Sequence, residues 1–319
     1  MPRTALILGA TGRFGRHMAD ALVRHGWSVR RFDRNTDSLR DAAHGADLIV
    51  NAWNPPYSRW KVEVPKLTQL VIEAAQASGA AVMIPGNIYV YGEDLPPVLS
   101  PRTPHQATHG LGKIRRSMEA AYRDAGVKTI ILRAGDFLDT EASGNWFDGV
   151  IAAKISKGRL SYPGPLDKAH VWAYLPDLAE VAAQLADQLE TLPHFLDLLF
   201  EGYTLTGSAM EAILERTLGR AVRAKPMAWL PIQLARPFWR EARYLLEMRY
   251  LWQRPHSIDG SALAERLPDF VATPVEEALS RATKPLCQNA TSTQISRWSE
   301  ASSTTSANGP SDGQRTPAP

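Results

Sequence analysis

A glycine-rich loop between a strand and a helix restricts the fold of this sequence more than any other feature. The loop, Gly9–Gly15, reads GATGRFG; it follows an apolar run, Thr4–Leu8, and opens a predicted helix. In such a loop Gly9 permits the tight turn, Gly12 lets a ligand approach the backbone, and Gly15 lets helix and strand pack closely. The free N–H groups at the helix start favour an anion. The loop therefore predicts the phosphate-binding turn of a dinucleotide-binding domain.

Buried strands and amphipathic helices alternate through the first 135 residues, which predicts a parallel sheet covered on both faces. The predicted strands are Thr4–Leu8, Ser28–Phe32, Asp47–Asn51, Ala81–Ile84 and Lys128–Leu132. The predicted helices are Gly15–His25, Asp37–Ala43, Val62–Ala77 and Leu111–Ala125. The fold class that follows is α/β, a Rossmann-type doubly wound parallel sheet with a smaller α+β C-terminal substrate region.

One connection is too short for the complete doubly wound plan. Only about fourteen residues separate the second predicted strand from the third. The complete plan places a helix, a strand and another helix there, which would need roughly twice that number, because a single crossover already takes at least 10–12 residues. We therefore expect one edge strand and its helix to be missing or vestigial. The adenine end of a nucleotide pocket would then be more open.

The pattern divides the chain into three parts. Residues 1–135 form the predicted NAD(P)-binding domain, with its last elements returning from 165–200; residues 136–282 are mainly substrate-binding. In that second part we expect helices over 145–157, 176–189 and 208–218 and a strand over 195–200. The Ser-, Thr-, Ala-, Pro- and Gln-rich residues 283–319 cannot bury enough apolar surface to order themselves, which predicts a disordered tail.

Composition excludes several classes of protein. The single cysteine, Cys287, allows no intrachain disulfide, and no Cys/His cluster has metal-ligand spacing, so no metal is expected. No apolar run approaches the roughly 20 residues of a membrane helix. The formal net charge of +3 is weak evidence for nucleic acid. We expect a cytoplasmic protein that binds a small-molecule substrate, neither nucleic acid nor membrane, with the Trp- and Arg-rich segment Trp229–Trp252 as a candidate partner or homodimer face.

The G-x-x-G-x-x-G spacing of the loop resembles that of extended and atypical short-chain dehydrogenases/reductases, which include the NAD-dependent epimerases and dehydratases. Further segments resemble this superfamily in the same order along the chain, and the resemblance covers about residues 1–282. These segments are Gly45–Ala52, Val90–Gly92, Ile131–Arg133 and Tyr174–Ala179.

The resemblance implies a nicotinamide dinucleotide cofactor. The residues it assigns to the cofactor are Gly9, Thr11, Gly12, Arg13, Phe14, Gly15, Asp33, Arg34, Asn51, Ala52, Trp53 and Lys113. A carboxylate at Asp33 accepts hydrogen bonds from ribose hydroxyls and repels a 2′-phosphate, which favours NAD. Arg34 and Arg13 could instead pair with that phosphate, so NADP stays open.

The resemblance also implies a catalytic Ser or Thr, a Tyr, and a Lys four residues after the Tyr. Lys113 fits the lysine, but His109 stands at the tyrosine position and Asn87 at the serine position. We expect the Lys113 cation to favour neutral His109, which could take a proton from an alcohol while Asn87 orients a substrate oxygen. Equally, His109 could be an exposed residue at a helix start. Asp136 and His170 are weaker polar candidates.

Two functions remain open at this level. The first is an NAD(P)-dependent oxidoreductase or epimerase/dehydratase-like enzyme that acts on an alcohol or carbonyl carbon, with sugar nucleotides among its candidate substrates. The alternative is a non-catalytic dinucleotide-binding sensor or scaffold with a degenerate active site, because two of three catalytic positions differ from the superfamily pattern.

Overall fold

A computed structural model describes residues 2–288 of the chain. The strands are β1 (Thr4–Leu8), β2 (Ser28–Phe32), β3 (Leu48–Asn51), β4 (Ala81–Asn87), β5 (Val98–Leu99), β6 (Thr129–Ala134), β7 (Asp136–Leu138), β8 (Arg159–Tyr162), β9 (His170–Tyr174), β10 (Phe195–Leu199), β11 (Tyr203–Leu205), β12 (Arg223–Pro226) and β13 (Ser257–Ile258). The helices are α1 (Arg13–Arg24), α2 (Leu39–Ala43), α3 (Trp60–Ser78), α4 (Gly110–Asp124), α5 (Leu175–Asp187), α6 (Gly207–Leu218), α7 (Leu230–Ala235), α8 (Arg240–Glu247), α9 (Ser261–Arg266) and α10 (275–288).

The central sheet has six parallel strands in the order β2-β1-β3-β4-β6-β10. This order confirms the predicted Rossmann-type α/β fold. β2 is an edge strand, because the segment after it holds only the short helix α2 before the chain enters β3. The expectation of a missing edge strand is therefore confirmed.

Apolar helix faces cover both sides of this sheet. On one side Met18 and Leu22 of α1 pack with Leu178 and Leu185 of α5 in one buried cluster. On the other side α3 and α4 contribute Trp60, Val71, Met118 and Tyr122 to a second cluster. Because α5 and β10 come from the second half of the chain, that half completes the layers around the six-stranded sheet.

A third apolar core lies in the C-terminal region. It is built on the small sheet β11-β9-β7 and centres on Trp172, Trp229 and Trp252. Helix α10 adds Leu279 to this core. The predicted tail was placed six residues too early, because residues 283–288 continue α10 and Thr283 is buried. The rest of the predicted tail, 289–319, lies outside the described residues.

The predicted helix over 145–157 is wrong. The segment instead forms a π-helical turn, Phe147–Ile151, and a 3₁₀ turn, Ile155–Lys157. The Asn145 side-chain oxygen accepts hydrogen bonds from the N–H groups of residues 147 and 148, which starts the first turn. Gly149 weakens a continuous helix, and Gly158 with φ +66° ends the second turn.

No helix among residues 2–288 combines the length and the apolar character needed to cross a membrane.

Candidate active site

The glycine loop has a geometry that accepts only glycine at several positions. Gly9 has φ +80°, and the Gly12 N–H donates to its carbonyl oxygen over 2.9 Å. A Cβ at Gly15 would lie 2.2 Å from that same oxygen, and a Cβ on Gly9 would lie 3.2 Å from the Ala52 carbonyl oxygen. The loop is therefore folded tightly over the carboxyl ends of β1 and β3.

Helix α1 begins at this loop without a side-chain cap. Its N-cap is Gly12, no side chain accepts from its first amides, and its first turn has no acidic residue. Such an N-terminus has free N–H groups and a positive dipole end, which suits a pyrophosphate. The Phe14 side chain is buried in the core with α5, so only its main chain is available to a ligand. Thr11 is exposed at the loop.

A second loop, residues 139–148, is fastened across the start of α1. The Arg13 guanidinium donates to the Ser143 carbonyl oxygen over 3.1 Å and to the Gly144 carbonyl oxygen over 2.8 Å. Asp139, 1% exposed, is paired with Arg16 and with His17. The sequence assigned Arg13 to the cofactor alone, and these loop contacts were not foreseen.

A cavity of about 420 Å³ opens beside the carboxyl ends of β2 and β3. Arg34 and Trp53, both assigned to the cofactor from sequence, lie in its wall, with Phe32 edge-to-face against Trp53 at 5.6 Å. Asp33 adjoins the cavity, and its carboxylate accepts from the N–H and the side-chain amide of Asn35 at 2.9 and 3.0 Å. Arg59 also lines the cavity, where it forms an ion pair with Glu63, and Asp37 is a second carboxylate of the wall.

The end of β3 supports this cavity from below. Asn51 is buried; its side-chain amide donates to the Tyr122 hydroxyl over 3.1 Å, and its oxygen accepts from the Trp53 N–H over 3.4 Å. The Ala52 N–H donates to the Leu8 carbonyl oxygen over 3.1 Å. These bonds fix the path of the chain beneath the predicted ribose position.

Asn87 ends β4 and lies opposite Ala134 of β6. Its side-chain oxygen accepts from the Tyr89 N–H over 3.1 Å and so caps a 3₁₀ turn. Its carbonyl oxygen accepts from the Arg133 guanidinium over 2.6 Å. The Asn87 amide oxygen thus has a structural partner, which leaves the amide N–H groups for a ligand.

The fully buried Arg133 is balanced by two carboxylates, Glu119 at 3.1 Å and Asp197 at 2.6 Å. His105 approaches both carboxylates at 3.5 and 3.6 Å, so three metal-binding residue types come together here. The Arg133 guanidinium is bonded to both carboxylates and to the Asn87 carbonyl oxygen, so the cluster supports Asn87.

His109 is held by a residue that the sequence analysis missed. Its Nδ1 lies 3.2 Å from a carboxylate oxygen of Glu247, and that oxygen also accepts from the Leu111 N–H over 2.7 Å. The Glu247 hydrogen bond raises the pKa of His109 despite the opposing effect of burial. The expectation that Lys113 favours neutral His109 is therefore wrong. Nothing in the sequence links positions 109 and 247, because α8 meets the start of α4 only in the tertiary fold.

Lys113 lies one turn beyond His109 on α4, and its N–H donates to the His109 carbonyl oxygen over 2.8 Å. Its side chain is exposed and forms no ion pair with any carboxylate of residues 2–288. Both side chains therefore project from the same turn of the helix, as the spacing predicts.

Asp136 and His170 form a second titratable couple at the carboxyl end of β6. His170 is 1% exposed and lies flat on Trp252 with centroids 3.9 Å apart; its Nε2 is 2.7 Å from the Asp136 carboxylate. Its Nδ1 faces the Leu251 carbonyl oxygen at 3.4 Å. Both ring nitrogens of His170 therefore face oxygen atoms. Burial, with His170 nearby, lowers the pKa of His256 to about 3, so His256 stays neutral.

Two tyrosines, Tyr57 and Tyr89, lie near the Asp136 carboxylate. The hydroxyls of Tyr57 and Tyr89 are 2.7 Å apart. Burial, with Tyr57 and Asp136 nearby, raises the pKa of Tyr89 well above its usual range. Both hydroxyls therefore stay protonated at neutral pH. In the sequence Asp136 and His170 are separate, weaker candidates; the parallel pairing of β7 with β9 brings them together.

Comparisons with known proteins agree with this architecture. No protein-family model and no curated protein sequence matches the chain. Solved structures match closely in fold. MoeE5 in complex with UDP-glucose and NAD is 14% identical, with a TM-score of 0.69 over 90% of this chain and 99% of that one. The UDP-glucuronic acid 4-epimerase of Bacillus cereus, with UDP-glucuronic acid and NAD, is 13% identical, with a TM-score of 0.69 over 89% and 99%.

A dTDP-4-dehydrorhamnose reductase ortholog of Clostridium acetobutylicum is 16% identical, with a TM-score of 0.65 over 89% of this chain and 99% of that one. Two of these three structures contain NAD. The chain therefore shares the fold of these proteins, which is built on a parallel sheet of Rossmann type.

Proposed function

We propose that this protein is an NAD-dependent oxidoreductase or epimerase that acts on an alcohol or carbonyl carbon of a sugar nucleotide. The observation that carries the proposal is the uncapped N-terminus of α1 at a loop where Cβ atoms would collide, with titratable couples at the carboxyl ends of the neighbouring strands. The fold neighbours MoeE5 and the Bacillus epimerase hold a sugar nucleotide together with NAD.

Residues of this chain can be assigned to each part of a bound dinucleotide. The main-chain amides of Arg13 and Phe14 would hold the pyrophosphate, and Asp33 would accept from the adenosine ribose. The Arg34 guanidinium in the cavity wall keeps a 2′-phosphate chemically acceptable, so NADP is the alternative cofactor. Lys113 would hold the nicotinamide ribose. Bound nicotinamide supplies a hydride acceptor or donor at the substrate carbon.

The protein's own task is then to take up the proton that leaves the substrate hydroxyl. His109 is one group able to do so: Glu247 binds Nδ1, which orients the ring, while Nε2 is buried without a partner in the described residues. In other His–carboxylate pairs the carboxylate likewise fixes the tautomer of the histidine and stabilises the charged ring. The amide N–H groups of Asn87 would orient the substrate oxygen.

Asp136 with His170 is the second group able to do so. The Asp136 side chain is 21% exposed, whereas the His170 side chain bonded to it is 1% exposed. Asp136 would then meet substrate, and His170 would hold the proton behind it.

A three-variant comparison tests the function and separates the two couples. Purified protein is given NAD or NADP and a panel of UDP- and dTDP-sugars, and turnover and cofactor affinity are measured separately. His109→Gln or Asp136→Asn is expected to lower kcat about 100-fold or more at unchanged NAD affinity, whichever residue carries the proton. Asp177→Asn, on α5 and bonded to Thr273, is the control with unchanged kcat.

The opposing reading is a sensor or scaffold that binds a dinucleotide without chemistry. Asn87 supports this alternative, because its side-chain oxygen already accepts a hydrogen bond from the Tyr89 N–H. Tight NAD binding with no turnover across the panel would favour that reading, whereas absence of NAD binding would overturn both.

A further inference from the structure

The segment from α7 into α8 carries an unusual apolar surface. Four of the nine most exposed large apolar side chains in residues 2–288 fall within ten positions there. Leu230 is 61% exposed, Leu234 69%, Phe238 93% and Trp239 45%. Leu230 and Leu234 lie one turn apart on the same face of α7, and Phe238 follows directly after the helix. We call these four side chains the apolar tip.

Buried residues flank the apolar tip on both sides and anchor it to the rest of the protein. Trp229, immediately before α7, is 7% exposed, and its indole N–H donates to the Pro163 carbonyl oxygen over 2.7 Å. On the other side Ala242 of α8 is fully buried. The tip is therefore anchored at both ends and projects from the surface, rather than being a loose strand of chain.

The charges around the apolar tip are almost all positive. Arg236, Arg240 and Arg243 lie within or beside it, and none of them forms an ion pair with a carboxylate of the described chain. Glu241 is the one acidic residue between 225 and 243, against three arginines, and its carboxylate is turned to the Ser58 N–H, from which it accepts over 3.2 Å. The surface therefore combines protruding apolar side chains with unneutralised guanidinium groups.

We propose that this surface binds the face of an anionic lipid membrane, with the apolar tip inserted at the acyl boundary and the arginines at the phosphates. Leucine, phenylalanine and tryptophan flanked by arginine are the composition of an interfacial segment that lies on a membrane without spanning it. Arginine stems cover apolar surface while their charged heads reach the phosphates.

A second copy of the chain fits the surface less well. A twofold contact would place the same patch on both sides and bring Arg236, Arg240 and Arg243 against their own copies, with no free carboxylate to offset them. The protruding Phe238 would also need a receiving pocket on a protein, whereas an acyl boundary accepts it without one.

The surface lies close to the candidate active site. Glu241 binds Ser58 beside Arg59 of the cavity wall, and Glu247 at the other end of α8 holds His109. Membrane contact would therefore place the mouth of the cavity next to the lipid face. The proposal stands on the surface alone and does not depend on the proposed enzymatic function.

Sedimentation of the full chain with sucrose-loaded vesicles tests the proposal. Vesicles of equal parts phosphatidylglycerol and phosphatidylcholine should pellet the protein, vesicles of pure phosphatidylcholine should not, and high salt should release it. The Leu234→Ser, Phe238→Ser variant keeps every charge and should bind about tenfold more weakly or worse. The Arg236→Gln, Arg240→Gln variant keeps the apolar tip and should lose on the order of tenfold or more.

Val271→Ser is the matched control, because Val271 is 85% exposed outside this surface, and its binding should equal that of the wild type. Circular dichroism verifies that all variants are folded. No binding to anionic vesicles, equal binding to neutral ones, or wild-type binding by either double variant would overturn the proposal. So would sedimentation velocity that shows a wild-type dimer abolished by the Leu234→Ser, Phe238→Ser variant, since the occupant would then be a second copy.

Discussion

At the scale of single residues, close backbone contacts explain the glycine loop better than conformational freedom does. Gly9 has a positive φ, but Gly12 and Gly15 are constrained by the Gly9 carbonyl oxygen, 3.1 and 2.2 Å from the Cβ that each lacks. The sequence assigned Gly15 to close packing of helix on strand, and the structure identifies the atom that it packs against.

Gly15→Ala tests this contact. The added Cβ cannot stay 2.2 Å from an oxygen, so the loop must move, and we expect a loss of about 1–3 kcal/mol in stability and at least tenfold weaker NAD binding. Thermal unfolding and NAD titration measure the two effects. Gly26→Ala is the control, because Gly26 has φ +78° in open space and its substitution strains only the local backbone. Wild-type NAD affinity in Gly15→Ala would contradict the argument.

The ionisation of His109 depends on one distant residue. The Glu247 hydrogen bond raises the pKa of His109, so Glu247→Gln should lower that pKa and leave the ring neutral over a wider pH range. NMR titration of the His109 ring measures it. Glu241→Gln changes the same helix at a carboxylate that bonds Ser58, and it should leave the His109 titration in place. An unchanged His109 pKa in Glu247→Gln would show that another group sets it.

At the scale of elements, α1 and α5 are joined at their ends by a charged cluster. His25, after α1, has Nδ1 2.6 Å from Asp187 and Nε2 2.8 Å from Glu180. Burial lowers the pKa of His25, but the two carboxylates outweigh it, and the net pKa is raised above 6.5. A raised folded-state pKa stabilises the protein below the unfolded pKa, and this stabilisation is lost as pH rises through the folded value.

His25→Asn should therefore lower the unfolding temperature more at about pH 6 than at about pH 9. The difference should correspond to roughly 1 kcal/mol or less, since the partner carboxylates are partly exposed. Thermal melts of wild type and variant across this range measure it. A deficit that stays constant with pH would mean that His25 acts through packing alone.

A glycine and a capping side chain explain why one predicted helix does not form. The pattern over 145–157 resembles a helix in its apolar spacing, yet Gly149 and the side-chain bonds of Asn145 divide it into two short turns. Apolar periodicity reports which side is buried, and it does not report competition from a capping side chain. In α5 no such competitor stands inside the segment, and the helix forms as expected.

At the scale of the whole molecule, the core around the six-stranded sheet is discontinuous in sequence. Helix α1 is covered by α5, and β6 is paired by β10, so residues 175–199 complete a core begun at residue 4. The fragment 1–135 should therefore fail to fold by itself, although it contains every predicted cofactor residue. Circular dichroism and hydrogen exchange of this fragment against 1–288 measure the difference. A cooperatively melting 1–135 fragment would show that α5 and β10 are dispensable.

The sequence by itself determined the parallel sheet, its missing edge strand and the place of the glycine loop, because local apolar periodicity and glycine spacing encode them. It also singled out His109, Asn87 and Lys113 as candidates by position. Only the tertiary structure decided what these side chains contact. Glu247 reaches His109 across 138 residues, Asp136 meets His170 through paired strands, and the apolar tip stays exposed because nothing in the described chain covers it. Such contacts depend on how elements pack, which no local pattern in the sequence records.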